Sequence, residues 1–527
     1  LVDVGGAFGA RTAPFPEYPL MLHMAKRLGR PIKWLSTRSE DFLTDNHGRA
    51  IRLEGELAFS ASGRLIALRT NWLCDCGAYL SQAGSFTNCY NGLTIGAGAY
   101  QVEALHGRHR LFITNTAPTN AYRGAGRPEA VYVVERLLDA AANALGLDPI
   151  ELRRRNVIGR DQMPYRTLTG TVFDSGDFTG LISKVQAAAS WDSFPRRRKQ
   201  ASRRGALRGI GCALFLEPSG GGLTPKDQVA IRFLSSGRIV LYSVAGPSGQ
   251  GHETVFAELV AEMLGLDPNQ IELRPGDPDG PALTGSPAIG SRTILSHGST
   301  YKLAAEQVIE KGKSFAADAL EVSGEDLEYG EGRYRVKGTD RAIAFAEIMQ
   351  QCASEKPHPL DTLAETPIAR AFPSGAHVAE VEIDHETGWA TIIDYTAVDD
   401  LGNVINHTLA DGQIHGGVTQ GAGQVFGENC FYEEENGQLM AGSFMDYVMP
   451  RADLLRNIRT LDHPVPSPGN LLGAKGAGEA GTTGAGAACM NAVINALRSA
   501  GVEHFDMPAT PARIWSALRA ARTANPR

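Results

Sequence analysis

The stretch GAKGAGEAGTTGAG, residues 473–486, carries two charges, Lys475 and Glu479, among glycine, alanine and threonine alone. A surface loop is ordinarily mixed and polar, whereas this one is stripped of side chains, as if something large lay against its backbone. A lone carboxylate in such a setting can serve as a general base toward a bound reactant. It can equally be a helix-start residue that favours the dipole, and from the residues alone that second reading is the simpler.

Glycine is the compositional outlier. Its 60 residues in a chain of 527 exceed the usual ~7%, and they gather in short stretches rather than in low-complexity tracts. Besides 473–486 these are GGAFGAR (5–11), AYRGAGRPE (121–129), GPSGQGHET (246–254), GSPAIGSR (285–292) and DGQIHGGVTQGAGQ (411–424). Most sit between an apolar run and a helical pattern, so the expected unit is strand, glycine loop, helix. Such a unit aims backbone N–H groups at whatever lies above the helix N-terminus, which suits a phosphate. No GxxxxGK[ST] is present, and no GxGxxG is followed by the strand and acidic residue of a nicotinamide fingerprint. Six stretches spread along the chain suggest one extended, phosphate-bearing cofactor gripped from several sides. For any single loop, tight helix–sheet packing explains the glycines equally well. Gln250, His252, Thr254, Gln413 and Gln420 add uncharged donors and acceptors suited to the edges of a heterocycle such as a pterin, or simply to capping and surface roles.

Around these stretches, 527 residues are more than one core usually organises, so at least two domains are expected. IRLEGELAFSASGRLIALRTNW, QVAIRFLSSGRIVLYSV and VAEVEIDHETGWATIIDYTAV each alternate around a turn and predict β-hairpins. Apolar residues at helical spacing after GRPE and after GQGHET predict two helices. ANALGLDPIELR and AEMLGLDPNQIELR echo each other as helix end, turn and exit, which hints at two related halves. The basic run PRRRKQASRRG reads as a solvated helix end or linker. A net charge of -7 argues against nucleic acid as a partner, and no apolar run reaches the roughly 18–20 residues of a membrane span. Seven scattered cysteines fit reduced thiols in the cytoplasm and show no iron–sulfur or zinc spacing; Cys74 and Cys76 read as buried strand residues. The opening, LVDVGGAFGARTAPFPEYP, shows no signal peptide and no initiator Met, and it reads as a buried strand, so the chain is expected to be incomplete or processed at its N-terminus.

Taken in order, VGGAFGAR, LGRPIKW, HGR, AYRGAGRPE, GQGHET, GSR, DGQIHGGVTQG and KGAGEAGTTGA resemble the molybdenum-binding subunit of the xanthine dehydrogenase family, in particular the aerobic carbon monoxide dehydrogenase large-subunit-like form. The resemblance implies a mixed α+β and α/β fold. Two related molybdopterin-binding domains, 1–165 and 209–527, would be joined by a basic linker, 166–208, with the glycine loops converging on the cofactor at their interface. It implies that Glu479 is the catalytic base and that Arg123 lies beside the molybdenum. Phe8 and Gly9 would line the pocket. Gln250, Gly251, His252 and Thr254 would hold the pyranopterin with Gly290, Ser291, Gln420, Lys475 and Gly476, the metal itself being held by the pterin and not by protein side chains.

The implied reaction hydroxylates an aldehyde or N-heterocyclic carbon with water as oxygen source. The implied cofactor is a molybdenum pyranopterin, in the cytosine dinucleotide form, with FAD and 2Fe-2S clusters on separate partner subunits in a dimer of heterotrimers. A non-catalytic cofactor-binding scaffold is the rival reading. Three departures bear on this. The family's N-terminal third, with a pocket glutamine, would lie upstream of Leu1. Thr12 stands where xanthine-oxidising members carry a glutamate, which disfavours purine. Gly124 and Ala125 stand where a copper-binding cysteine would be needed, which disfavours copper and CO oxidation.

Overall fold

A computed structural model describes residues 4–12 and 14–524. The strand expected at the chain's start falls on residues 1–3, outside the described residues, and Val4–Ala7 have no regular structure.

The three expected hairpins are present, each closed by a turn glycine with positive φ: Gly63 at 79°, Gly237 at 80° and Gly388 at 74°. β1 (Ile51–Phe59) and β2 (Leu65–Asp75) pair antiparallel, and β3 (Ala104–Phe112) adds parallel to β2. Burial alternates along β1 because one face is covered by the helix α1 (Arg127–Leu145), whose Val133 and Leu137 press on Gly55. β4 (Ala206–Leu216) belongs to a later sheet. β5 (Lys226–Phe233) and β6 (Ile239–Ser243) form the second hairpin, followed by α2 (His252–Leu264) and β7 (Ile271–Pro275). After α3 (Ser299–Leu320), β8 (Thr362–Pro367) completes the second sheet in the order β7-β6-β5-β8. β9 (Ser374–Asp384) and β10 (Ala390–Asp400) form the third hairpin. With α4 (His407–Phe426) between, β11 (Ile458–Asp462) joins β10 in parallel, giving a sheet ordered β11-β10-β9-β4.

The last hub element, α5 (Ala480–Arg498), is apolar or small on every side and almost wholly buried, as a helix enclosed by other layers must be. It packs on β4 and β9 below and on α1 and α4 alongside. Its residues Ile494 and Leu497 therefore share one core with Leu65 and Leu138 near the N-terminus and Phe215 and Val381 of the third sheet. A second core, with Val229, Phe256, Val260 and Tyr301, lies under α2 and α3.

Two expectations change here. The glycine stretches 411–424 and 480–486 are helix interior, not loop. A glycine costs a helix ~0.5–1 kcal/mol relative to alanine, but these let α4 and α5 touch backbone to backbone. A Cβ on Gly417 would lie 2.9 Å from Thr482 N, one on Gly421 2.7 Å from Ala485 Cβ, and one on Gly481 would strike Ile414 O. The segment 166–208, expected as a basic linker, instead packs on the third sheet. It forms helices Phe178–Ala188 and Phe194–Ser202, burying Phe178, Leu181, Ile182, Val185 and Phe194. Its arginines are held by β9: Arg197 pairs with Glu380 at 2.7 Å, and Arg204 with Glu382 at 2.7 Å.

Candidate active site

Glu479 is the N-cap of α5, and the turn before α1 comes to meet it. Gly124, at φ 98°, turns its N–H toward Glu479 Oε1 at 2.9 Å. Glu479 Oε2 accepts from Ser291 Oγ at 2.7 Å and from Arg127 Nη2 at 2.9 Å. The residue beyond β4, Glu217, reaches the same guanidinium nitrogen at 3.0 Å and accepts from Thr483 Oγ1 at 3.1 Å. The Glu217 side chain is fully buried and that of Glu479 is 13% exposed, so Glu479 is the carboxyl on the open side. Burial pushes both carboxyls up. For Glu479 this is outweighed by the charge of Arg127, a hydrogen bond with Glu217, Ser291 and the Gly124 N–H, which together hold it at about 2. For Glu217, burial and then the neighbouring Glu479 charge outweigh the pull of Arg127 and keep it well above the usual range. Glu479 is thus not the solitary carboxylate its sequence neighbourhood implies. Its partner arrives from a distant strand end.

Arg123 is buried, and among the described residues it touches no carboxylate. Nη1 donates to Gln420 Oε1 at 3.0 Å, Nη2 to Gln413 O at 3.0 Å and Oε1 at 3.1 Å, and Nε to Gly478 O. Glu129, the nearest carboxylate along the chain, binds Arg49 at 3.0 Å. Phe8, at φ 48° and 46% exposed, lies under the Arg123 guanidinium at 5.1 Å, with Gly9 against Ala121 O. A cation surrounded by neutral oxygens beside an exposed ring and an ionised carboxylate is a place where negative charge developing on a substrate oxygen would be stabilised.

The structure brings Arg123, Glu479, Ser291, Gln420, Phe8 and Gly9 together. Gly290 and Gly476 are adjacent: Gly290 O accepts from Gly220 N, and Gly476 N donates to Ser219 Oγ at 3.2 Å. Lys475 turns away, its Nζ on Asp400 at 2.6 Å with both side chains buried, so its charge is already neutralised inside the fold. His252 turns inward against Phe256, with 5.4 Å between ring centroids; among the described residues its Nδ1 has no hydrogen-bond partner, and burial lowers it to about 4. Gln250 Oε1 accepts from the backbone N–H of Ser248, and Gly251 at φ 76° packs on Leu409, while Thr254 is exposed on the first turn of α2. The sequence reading passed over Arg127 and Glu217. The available signal was a carboxylate ending an apolar strand, LFLEPSGGG, where a charge is rarely left buried without a partner.

The site fits an extended organic cofactor. A Cβ added at Gly246 or Gly412 would meet nothing within 4 Å, one at Gly249 only Val4 O at 3.8 Å, one at Gly290 only Gly220 O at 3.6 Å, and one at Gly416 only Arg123 Nη1 at 3.6 Å. These bare backbones face open space, unlike the glycines that join α4 to α5. The α2 N-terminus opens beside Gly246 and Gly249 and can receive a phosphate. Among the described residues no group of three or more His, Cys, Asp or Glu side chains is placed to hold a metal, and no helix is long and apolar enough to cross a membrane.

Residues 2–157 and 184–455 each match a molybdopterin cofactor-binding domain. The carbon monoxide dehydrogenase large chain of Hydrogenophaga pseudoflava is 33% identical over 540 residues, covering 98% of this chain and 67% of that one. Subunit gamma of the 6-hydroxypseudooxynicotine dehydrogenase complex of Paenarthrobacter nicotinovorans is 33% identical over 534 residues, covering 98% and 66%. The crystal structure of quinoline 2-oxidoreductase from Pseudomonas putida 86 superposes with a TM-score of 0.90 at 31% identity, covering 98% of this chain and 68% of that one. The chain belongs to the family of molybdopterin-binding subunits that includes these molybdenum-dependent dehydrogenases and oxidoreductases. It spans about two thirds of the length of the curated relatives it matches.

Proposed function

We propose that the chain is the catalytic, molybdenum-binding part of a hydroxylase that inserts a water-derived oxygen at an electrophilic carbon of an aldehyde or N-heterocycle. The observation that carries this reading is Glu479, an ionised carboxylate at the open edge of a buried cluster and next to Arg123, which among the described residues bonds to no carboxylate. Bound, a molybdenum pyranopterin would supply the water-derived oxygen and the two-electron acceptor. The bare backbones at Gly246, Gly249, Gly290, Gly412 and Gly416, with Gln250 and the α2 N-terminus, would hold it. Glu479 would take the proton of the attacking oxygen, exchanging the Ser291 hydroxyl for it, and Arg123 would stabilise negative charge on the substrate oxygen. The remaining elements of the reading are the cytosine dinucleotide form of the cofactor, FAD and 2Fe-2S clusters on partner subunits in a dimer of heterotrimers, and a cytoplasmic location. They rest on the family resemblance, as does the division into domains 1–165 and 209–527. Gly124 and Ala125 offer no sulfur for copper, which weighs against CO as substrate.

The test is Glu479→Gln in the assembled enzyme, after a panel of aldehydes and N-heterocycles has identified a reducing substrate. Molybdenum and pterin content should stay near the parent level, while the reductive half-reaction slows by ~10²–10⁴-fold, the worth of a positioned base. A fully loaded variant reduced at the parent rate would leave Glu479 a structural cap and favour the reading of a cofactor-binding scaffold.

A further inference from the structure

We propose that Glu217 is a positioning residue for Glu479: bridged by Arg127, the two carboxyl groups hold one proton between them, seated on Glu217, so that the charge is confined to the carboxylate facing the open site. This rests on the reading of Glu479 as the base.

The elements packed around the two carboxyls bring few cations. α1 supplies Arg127, whose Nη2 contacts both carboxyls, and Glu129, which Arg49 holds. The turn before α1 supplies Tyr122 and Arg123, the latter bonded to the neutral oxygens of Gly478, Gln413 and Gln420. The 290–292 loop supplies the Ser291 hydroxyl and Arg292, which is paired with Asp227. The start of α5 supplies Thr483, and upstream of it Lys475 is paired with Asp400. One guanidinium therefore contacts two carboxyls, one of them wholly buried. Arg123 lies nearby but bonds to neutral oxygens and to neither carboxyl, so ionising Glu217 would set a second negative charge beside Glu479 with no cation of its own in contact, which burial disfavours strongly; carboxyls that share a site resolve this by sharing a proton.

Geometry assigns that proton. Glu479 accepts three donors: the Gly124 N–H, the Ser291 hydroxyl and Arg127. Among the described residues Glu217 accepts from Arg127 and the Thr483 hydroxyl, and Thr483 also lies 3.0 Å from Glu479 O, so its single proton serves one of them at a time. The better-solvated carboxyl is the one that ionises, and the directions in which the two groups shift agree. A protonated Glu217 then gives its O–H to Glu479 and helps fix the base in place.

The experiment uses glutamine as the neutral isostere of a protonated glutamate. In infrared difference spectra of the full chain at pH 7, parent minus Glu217→Gln, a protonated-carboxyl C=O stretch that shifts in D₂O should be present. In the assembled enzyme Glu217→Gln should keep its molybdenum and be reduced at the parent rate, with an unchanged pH profile. Glu217→Ala, which loses the donor and frees Glu479 to move, should slow reduction by about 10²-fold, the scale of a misplaced reacting group. Absence of the carboxyl band from the difference spectrum, or failure of glutamine to retain the parent rate where reduction depends on Glu479, would overturn the proposal. The infrared readout needs neither cofactor nor turnover. If the band is present while Glu479→Gln reacts at the parent rate, the shared proton stands and the base assignment falls.

Discussion

Replacing Arg127 by methionine keeps the length and apolar stem of the side chain and removes the cation that, among the described residues, touches both Glu217 and Glu479. In the parent, Arg127 Nη2 lies 3.0 Å and 2.9 Å from the two carboxyls, and its side chain is 7% exposed, so solvent screens little of the interaction. Removing one partner from a buried ion pair ordinarily costs ~3–5 kcal/mol. The loss has a ceiling, since the stranded Glu479 carboxylate can escape by taking a proton. Against an unfolded-state value near ~4.3, that protonation costs the variant about 1.36 × 2.7, or ~3.7 kcal/mol, at pH 7, on top of the ~3 kcal/mol that a folded value of about 2 lends the parent, so the ceiling is ~7 kcal/mol. We therefore expect Arg127→Met to lose about 3–5 kcal/mol at pH 7. The pH dependence is the sharper test. In the parent, Glu479 is held at about 2, below its unfolded value, so it contributes stability above ~4.3 that fades as pH falls toward 2. In the variant burial raises Glu479 above its unfolded value, so its folded state is favoured in acid and loses ground as pH rises. The gap between the two proteins should narrow from pH 7 to about 4.5, as the variant's cost disappears, and narrow further as pH falls toward 2 and the parent loses its own contribution. The assay is urea unfolding of the cofactor-free chain at several pH values, followed by a probe of the core that contains α5. A difference below ~1 kcal/mol at pH 7, or one independent of pH, would refute the picture of two carboxyls sharing a single cation.

Two further outcomes are expected. Gly481→Ala should destabilise the chain by ~1–3 kcal/mol despite alanine's better helix propensity, because its Cβ would strike Ile414 O and lie 2.8 Å from Val418 N. Gly412→Ala, in a helix with nothing within 4 Å of the new Cβ, should stabilise the cofactor-free chain by ~0.5–1 kcal/mol; thermal unfolding reads both, and equal effects would contradict the division between packing and open glycines. His252 is buried with Nδ1 lacking a partner and is lowered to about 4, so the stability it supports is complete above ~6.5 and is lost as pH falls toward about 4, by up to ~1.36 kcal/mol per pH unit. His252→Phe should flatten that part of the pH–stability curve, and an unchanged slope would show that the ring is not held neutral.

The sequence by itself determined the features that short-range physics controls. Alternation around SASGR, SSGR and HETGW specified three hairpins, since each turn needs a residue at positive φ and strand faces repeat every second residue. The LGLDP echo was equally local: Gly146 and Gly265 end their helices in the left-handed region, and Asp148 and Asp267 cap the next turn. Yet one continues as helix Pro149–Arg154 and the other as β7, because the element beyond the cap is set by the layer it joins. The order of the glycine motifs was enough to indicate the family and to single out Glu479 and Arg123. Tertiary structure alone decided which glycines face open space and which join α4 to α5. Composition cannot tell these apart, since a missing side chain reads the same whether a ligand or a second backbone occupies the room. Tertiary structure also decided that Lys475 is neutralised by Asp400, that His252 faces the core, and that Glu479 has a partner. Charge balance inside a protein is a property of space: Glu217 and Arg127 lie far from Glu479 along the chain, and only the packing of β4, α1 and α5 brings one guanidinium between two carboxyls.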